Sequence, residues 1–312
     1  MEKQGFLEKL WQSDNITDNL NFFKNIEDTQ DLINFSQKRP DADIRLYKRG
    51  NKESDIKLII PTMNPNSDLC KKLEKAYNNY SIFFIQSSGN YFNYAKSMNY
   101  GIEHIFKNER DARIIVVSND DIILDQPSSE ELLELDITKN PVYSLIPNKG
   151  DYSGENLILT KSNYILNLKD KIFSGLADGS VKRHVIEILE RKSIPFARVL
   201  SDRYNIDKMM FKFIERFYLD DQTRKIINFS DFGVFDAKLL MKLKFDEIYI
   251  NGWEDCDLSY RLDKLNIKIK SIEFGYNRVG HASLGTTMSK DREVIHSFLN
   301  GSYFYWKHLR KK

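Results

Sequence analysis

Residues 114–124 read IIVVSNDDIIL. Ile114, Ile115, Val116 and Val117 form an unbroken β-branched run, which suits a strand buried on both faces of a parallel sheet. Ser118, Asn119, Asp120 and Asp121 interrupt the run before apolar residues resume at Ile122. Two adjacent carboxylates cannot sit unpaired in a core, because taking each ion out of water costs on the order of several kcal/mol. They belong at the carboxyl edge of the sheet, where open α/β folds bind their ligands. A carboxylate pair there suits a hard divalent cation that carries phosphates. Taken alone, the same pair also suits a cap or a turn after a strand.

Upstream of this stretch the chain alternates. Lys57 to Ile60 is a short apolar strand stopped by Pro61-Thr62-Met63-Asn64-Pro65. A helix is predicted over 67–78, with Ser67 or Asp68 as its cap. Ser81 to Ile85 is a second buried strand, ending in Gln86-Ser87-Ser88-Gly89-Asn90, and Phe92, Ala95, Met98, Ile102 and Ile105 then mark one face of a second helix. Strand, helix, strand, helix, strand is the pattern of a Rossmann-like, mostly parallel sheet flanked by helices. No GxGxxG follows the first strand, so the dinucleotide fingerprint is absent.

Composition narrows the classes. The 312 residues suffice for one large domain or two modest ones, and 41% hydrophobic residues can build a sizeable core. Against 47 basic residues stand 45 acidic ones, so no global field points to nucleic acid. Two cysteines, Cys70 and Cys256, make neither a disulfide framework nor a zinc site, and a reducing, cytoplasmic setting is the simpler inference. Residues 1–15 lack the apolar segment of a signal peptide, and no apolar run approaches the roughly 20 residues that span a bilayer.

Residues 1–54 read as a helical N-terminal extension and 55–312 as the main domain, with 55–125 its nucleotide-binding half and 126–312 its acceptor half. Strands are expected at 141–147, at 156–160 and at 267–274, and a helical insertion near 175–225. The tail from Ser289 reads as a helix ending Lys307-His308-Leu309-Arg310-Lys311-Lys312. That basic end complements a helix dipole or forms a peripheral foot on the inner face of an anionic membrane.

A second acidic cluster, Gly252-Trp253-Glu254-Asp255-Cys256-Asp257, opens an amphipathic helix marked by Leu258, Leu262 and Leu265. Acids at a helix N-terminus are favoured by the dipole alone. Trp253 beside them also suggests an apolar platform for a sugar ring next to a carboxylate base. Farther on, the loop 276–286 is Gly-rich and holds one histidine, His281, a candidate for metal or diphosphate contact.

Together these pieces resemble the family 2 inverting glycosyltransferases of the GT-A fold, most closely rhamnosyltransferase-like members, over Ile56 to about residue 307. The resemblance rests on Ile59-Ile60-Pro61-Thr62, on the helix Asn90–Ile102, on Asn119-Asp120-Asp121 (similar to the family's DXD), on Gly252-Trp253-Glu254-Asp255-Cys256-Asp257-Leu258-Ser259-Tyr260-Arg261 (similar to its GWEDxDLxxR signature) and on His281. It implies a hexosyltransferase of glycan biosynthesis that uses Mn²⁺ or Mg²⁺, a UDP-, dTDP- or GDP-sugar donor and a glycan, lipid-linked or protein acceptor. Pro61 and Thr62 would border the nucleobase and Asn99 the ribose or phosphates. Asp121 and His281 would hold the metal, with Asp120 nearer the donor's ribose or sugar. Asp255 would be the general base, and Trp253 and Glu254 would contact sugar. The sequence departs from the family at Asn119, where an Asp is usual; at Gln86-Ser87-Ser88, where an acid is usual; and in the length of 150–230. Two other readings are a catalytically inactive nucleotide-sugar-binding module and a sugar-1-phosphate nucleotidyltransferase. The latter usually carries a Gly-rich basic loop where this chain has Pro61–Pro65.

Overall fold

The computed structural model describes residues 40–147 (except 52 and 90), 155–158, 224–227 and 232–278, with Gln37, Asn300, Tyr303, Phe304, Lys307 and His308 as isolated positions. The expected insertion helices, the loop with His281 and most of the C-terminal helix lie outside the described residues. The chain divides into two compact units, one of Phe35–Asn156 and Ile226–Glu293, the other of Met1–Asn34, Leu157–Lys225 and Val294–Lys312. In the second unit Phe304 and His308 meet edge to face at 4.9 Å, and the Lys307 ammonium lies 5.7 Å from the Tyr303 ring centre.

The first unit is built on a seven-stranded sheet ordered β1-β3-β2-β4-β9-β6-β10. Its strands are β1 (Arg45–Gly50), β2 (Ile56–Thr62), β3 (Ser81–Gln86), β4 (Ile114–Ser118), β6 (Val142–Pro147), β9 (Phe232–Asp236) and β10 (Lys270–Phe274). β2 pairs in parallel with β3 and β4, and β10 in parallel with β6, whereas β1 and β9 run antiparallel to their neighbours. The sheet is therefore mixed and mostly parallel, the α/β architecture that the strand–helix alternation predicts. β5 (Ile122–Leu124) leaves the main sheet and pairs antiparallel with β11 (Tyr276–Arg278); β7 (Glu155–Ile158) pairs with β8 (Arg224–Ile227).

Side-chain alternation splits the apolar runs between two cores. Ile56, Leu58, Ile60, Ile82, Phe84, Ile114 and Val116 face one cluster, and Ile59, Phe83, Ile85, Ile115 and Val117 face the other. The first is covered by helix α1 (Asp68–Ala76) through Cys70 and Leu73. The second is covered by α2 (Tyr94–Asn108), α4 (Ala237–Leu243) and α5 (Glu254–Lys264) through Met98, Ile102, Leu240, Leu258 and Leu262. A short helix α3 (Gln126–Glu131) follows β5. Burial of both faces explains why β2 and β4 read as continuous hydrophobic runs. The expected cap is in place: Ser67 accepts from the Cys70 amide at 3.2 Å, and Asn93 caps α2 through the Lys96 amide at 2.9 Å.

Three sequence expectations change. The sequence pattern places residues 45–50 in a helical extension ending at 54; in the structure they form β1, the sheet's edge strand. Their charged residues obscure a strand pattern, and the free edge of β3 supplies the partner that makes one. The continuous stretch 114–124 is two strands, because Asn119-Asp120-Asp121 turns the chain out of the main sheet. Lys57, inside a run read as apolar, is fully buried at the amino edge, held by Glu109 at 3.2 Å and Asp111 at 3.1 Å. Glu109 is shared with Lys48 at 2.6 Å. Among the described residues no helix is long and apolar enough to cross a membrane.

α2 approaches β2 at Gly101, where a Cβ would stand 2.8 Å from Ile59 Cγ2. Gly101→Val should lower unfolding stability by about 1–3 kcal/mol through overpacking. Urea titration of both proteins measures this, and an unchanged midpoint would show that the helix can simply move away.

Candidate active site

The parallel strands set one edge. At their carboxyl ends stand Pro61 and Thr62 on β2, Gln86 on β3, and Asn119-Asp120-Asp121 after β4. Pro61 and Thr62 are buried; Thr62 Oγ1 lies 3.4 Å from Cys70 Sγ, and the Thr62 carbonyl accepts from the Ser87 amide at 3.1 Å. Asp120 and Asp121 are 6% and 1% exposed, although they lie outside any main-sheet strand. Tyr77 fixes the chain just after them: its hydroxyl donates to the Ile122 carbonyl and accepts from the Leu124 amide, each at 3.0 Å.

The second acidic cluster reaches the same edge by a route the sequence did not disclose. β9 runs opposite to β4, so it delivers the chain to the amino edge, where Asp236 pairs with Ile114. α4 and the residues after it bring the chain back, climbing antiparallel along α2. Asn99 holds the bottom of the climb, donating to the Phe245 carbonyl at 2.8 Å and to Glu247 Oε1 at 2.9 Å and accepting from the Phe245 amide at 2.9 Å. Asn93 holds the middle, donating to the Glu247 and Tyr249 carbonyls at 3.0 Å each. Asn251 holds the top, accepting from the Tyr94 amide at 2.9 Å and donating to the Phe92 carbonyl at 3.2 Å. Phe92 lies in the turn between the carboxyl end of β3 and α2, and Tyr94 is the first residue of α2, so this sets Gly252-Trp253-Glu254-Asp255 at the carboxyl edge.

The turn itself is strained. Asn251 and Trp253 have φ of +50° and +72°, left-handed values that asparagine tolerates and tryptophan rarely adopts. Such residues cost on the order of 1–3 kcal/mol each and persist only where their surroundings hold them. Trp253 thereby becomes the N-cap of α5 without a capping side chain. Glu254 Oε2 accepts from the Gly252 amide at 2.6 Å, and Asp255 Oδ1 from the Cys256 amide at 2.8 Å. Both acids are 5% exposed. Burial, and then the neighbouring charge of Asp255, pushes the Glu254 carboxyl up to about 8. Burial and the same acids push the Cys256 thiol well above its usual range.

The third acid of the cluster has a different task. Asp257 accepts from Arg261 Nε at 2.7 Å and from the Tyr249 hydroxyl at 3.2 Å. Arg261 in turn donates to the Leu243 and Lys244 carbonyls at 2.7 and 2.6 Å, closing the end of α4. Asp257 and Arg261 thus brace the turn. Asn99, expected beside the donor's ribose or phosphates, commits its amide to the 245–247 backbone and Glu247. The overlooked signal was a buried asparagine next to Met98 on the apolar face of α2, since a buried amide requires partners.

Among the described residues no three His, Cys, Asp or Glu side chains converge as a metal cage. Mg²⁺ commonly binds through one or two carboxylates plus waters and substrate phosphates, so the hard-oxygen pair Asp120-Asp121 suits it without a cage. His281, the other expected ligand, lies outside the described residues.

A carboxyl whose folded value is raised contributes stability that is full below its unfolded value near 4.5 and is lost as pH rises through about 8. Glu254→Gln should remove that loss, so the variant gains stability relative to the parent between about pH 5 and 8. Thermal melts of both across this range test it; parallel pH profiles would count against a buried neutral acid.

Neither a protein-family model nor a curated protein matches this chain. Among solved structures it is similar to that of 4-diphosphocytidyl-2C-methyl-D-erythritolsynthase from Anaerococcus prevotii DSM 20548, at 10% identity and a TM-score of 0.31, over 80% of this chain and 95% of that one. A likeness of that strength carries no functional argument.

Proposed function

We propose that the protein is a metal-dependent inverting glycosyltransferase that moves a sugar from a nucleotide-sugar donor to a hydroxyl of a glycan, lipid-linked or protein acceptor. The observation that carries this reading is the meeting at one sheet edge of two acidic turns more than a hundred positions apart. One is Asn119-Asp120-Asp121; the other is Trp253-Glu254-Asp255, returned to that edge by three asparagines. A switch-point edge with buried carboxylates suits a nucleotide diphosphate, and an aromatic beside carboxylates suits a sugar.

In this reading Asp255 takes the proton of the acceptor hydroxyl while that oxygen attacks the anomeric carbon. The bond to the donor's diphosphate breaks on the opposite face, and the anomeric configuration inverts. Glu254, protonated at neutral pH, keeps a second negative charge away from Asp255 and offers a donor to a sugar hydroxyl. Asp121 and His281 would hold Mn²⁺ or Mg²⁺, which when bound would supply positive charge for the departing diphosphate. Pro61, Thr62 and Asp120 line the donor side. Asn99 acts through the 245–247 backbone that it holds.

Asp255→Asn should retain donor binding while transfer falls by about two to four orders of magnitude. Calorimetry with the donor, beside product analysis, reads both; near-normal transfer would remove Asp255 as base. Asp121→Ala should abolish the increase in donor affinity that Mn²⁺ or Mg²⁺ brings, and an unchanged metal dependence would move the metal elsewhere. Pyrophosphate release from a nucleoside triphosphate and a sugar phosphate would instead identify a nucleotidyltransferase.

A further inference from the structure

A cavity of about 640 Å³ opens over the carboxyl end of β3 and the start of β1, within the size range of small-ligand sites. It lies one strand from the switch point at β2, where the chain passes from β3 on one side to β4 on the other. Its lining includes Asp41, Asp43, Arg45, Gln86, Ser87 and Tyr91.

Two features mark it as a built site. Ser87 is 2% exposed, and its Oγ has no hydrogen-bond partner among the described residues. Gln86 is held at both ends of its amide, accepting from the Tyr47 hydroxyl at 3.0 Å and donating to the Met63 carbonyl at 3.1 Å. Residues 41–44 lead into β1, which begins at Arg45 opposite the last residue of β3, and alternating exposure presents Asp41, Asp43 and Arg45 on one face. Asp41 is ion-paired to Lys96 on α2, while Asp43 and Arg45 are exposed at the cavity.

We propose that this cavity seats a guanine base, making the donor a GDP-sugar, with Asp43 and Arg45 reading the two edges of the ring. This rests on the nucleotide-sugar reading above and names its nucleotide. Guanine is the base that offers adjacent N1–H and N2–H donors, a match for the two oxygens of one carboxylate. Its O6 and N7 acceptors match a guanidinium fork. Uracil offers one N–H between two carbonyls and would leave the carboxylate half-satisfied. Ser87 Oγ provides a further hydroxyl for the base or ribose. The acid thus comes from the segment before β1, and the turn after β3 contributes serines.

Calorimetry on the full chain with Mg²⁺ or Mn²⁺ tests this with GDP, IDP and UDP, IDP being the probe that lacks the 2-amino group. GDP should bind about tenfold or more tightly than IDP and UDP. Asp43→Asn, at an exposed position, should weaken GDP by more than IDP, which loses only the charge on its single N1–H contact, so the preference for GDP over IDP collapses. UDP binding as tightly as GDP, or a GDP-to-IDP ratio unchanged by Asp43→Asn, would overturn the guanine assignment and leave the glycosyltransferase reading standing. Failure of all three nucleotides to bind would overturn the guanine assignment, and failure of dTDP alongside them would overturn the nucleotide-sugar reading as well.

Discussion

The site depends on hydrogen bonds between α2 and the chain that follows α4. Asn93, Asn99 and Asn251 make seven described bonds along this seam, each of them buried or partly buried. Each is of ordinary strength, with a net value of about 1 kcal/mol. Their weight lies in the alternative. Removing one side would leave amides and carbonyls buried without partners, a cost of about 1–3 kcal/mol per group. The seam therefore transmits the position of α2, which is fixed on the sheet by the tight Gly101–Ile59 approach, to the acidic turn at the head of α5.

The same seam supports the strain in that turn. A tryptophan in the left-handed region is tolerated when residues on both sides are pinned. Asn251 is tied to Phe92 and Tyr94 before it, and Asp257 to Arg261 and Tyr249 after it. Held this way, two neighbouring carboxyls at 5% exposure cannot separate to relieve their repulsion. One of them retains its proton to a higher pH. A base beside a neutral acid is a common arrangement for moving one proton near neutrality.

Much of the scaffold was legible. β2, α1, β3, α2 and the first part of β4 follow from β-branched runs and apolar stripes, because both faces of those strands are covered. β1 was not legible, since Arg45, Lys48 and Arg49 hide its alternation and its pairing is decided by β3's open edge. Asp257 could not be told from Glu254 and Asp255 on sequence grounds; its role depends on Arg261 one helical turn later. The asparagine seam joins positions about 150 apart, beyond the reach of periodicity. The cavity beside β3 combines residues before β1 with residues after β3, which only the antiparallel pairing of Arg45 with Gln86 brings together.

β6 and β9 are neighbours in the sheet, yet the chain makes a long excursion between them, and β7 and β8 pair along the way out and back. No tight turn sets the register of β6 on β9, so it is set by the side chains: Val142 and Phe235 enter one core, Tyr143 and Val234 the other. A slip of one residue would carry each of these side chains to the opposite face of the sheet, so the two cores together act as the ruler that a hairpin would otherwise supply.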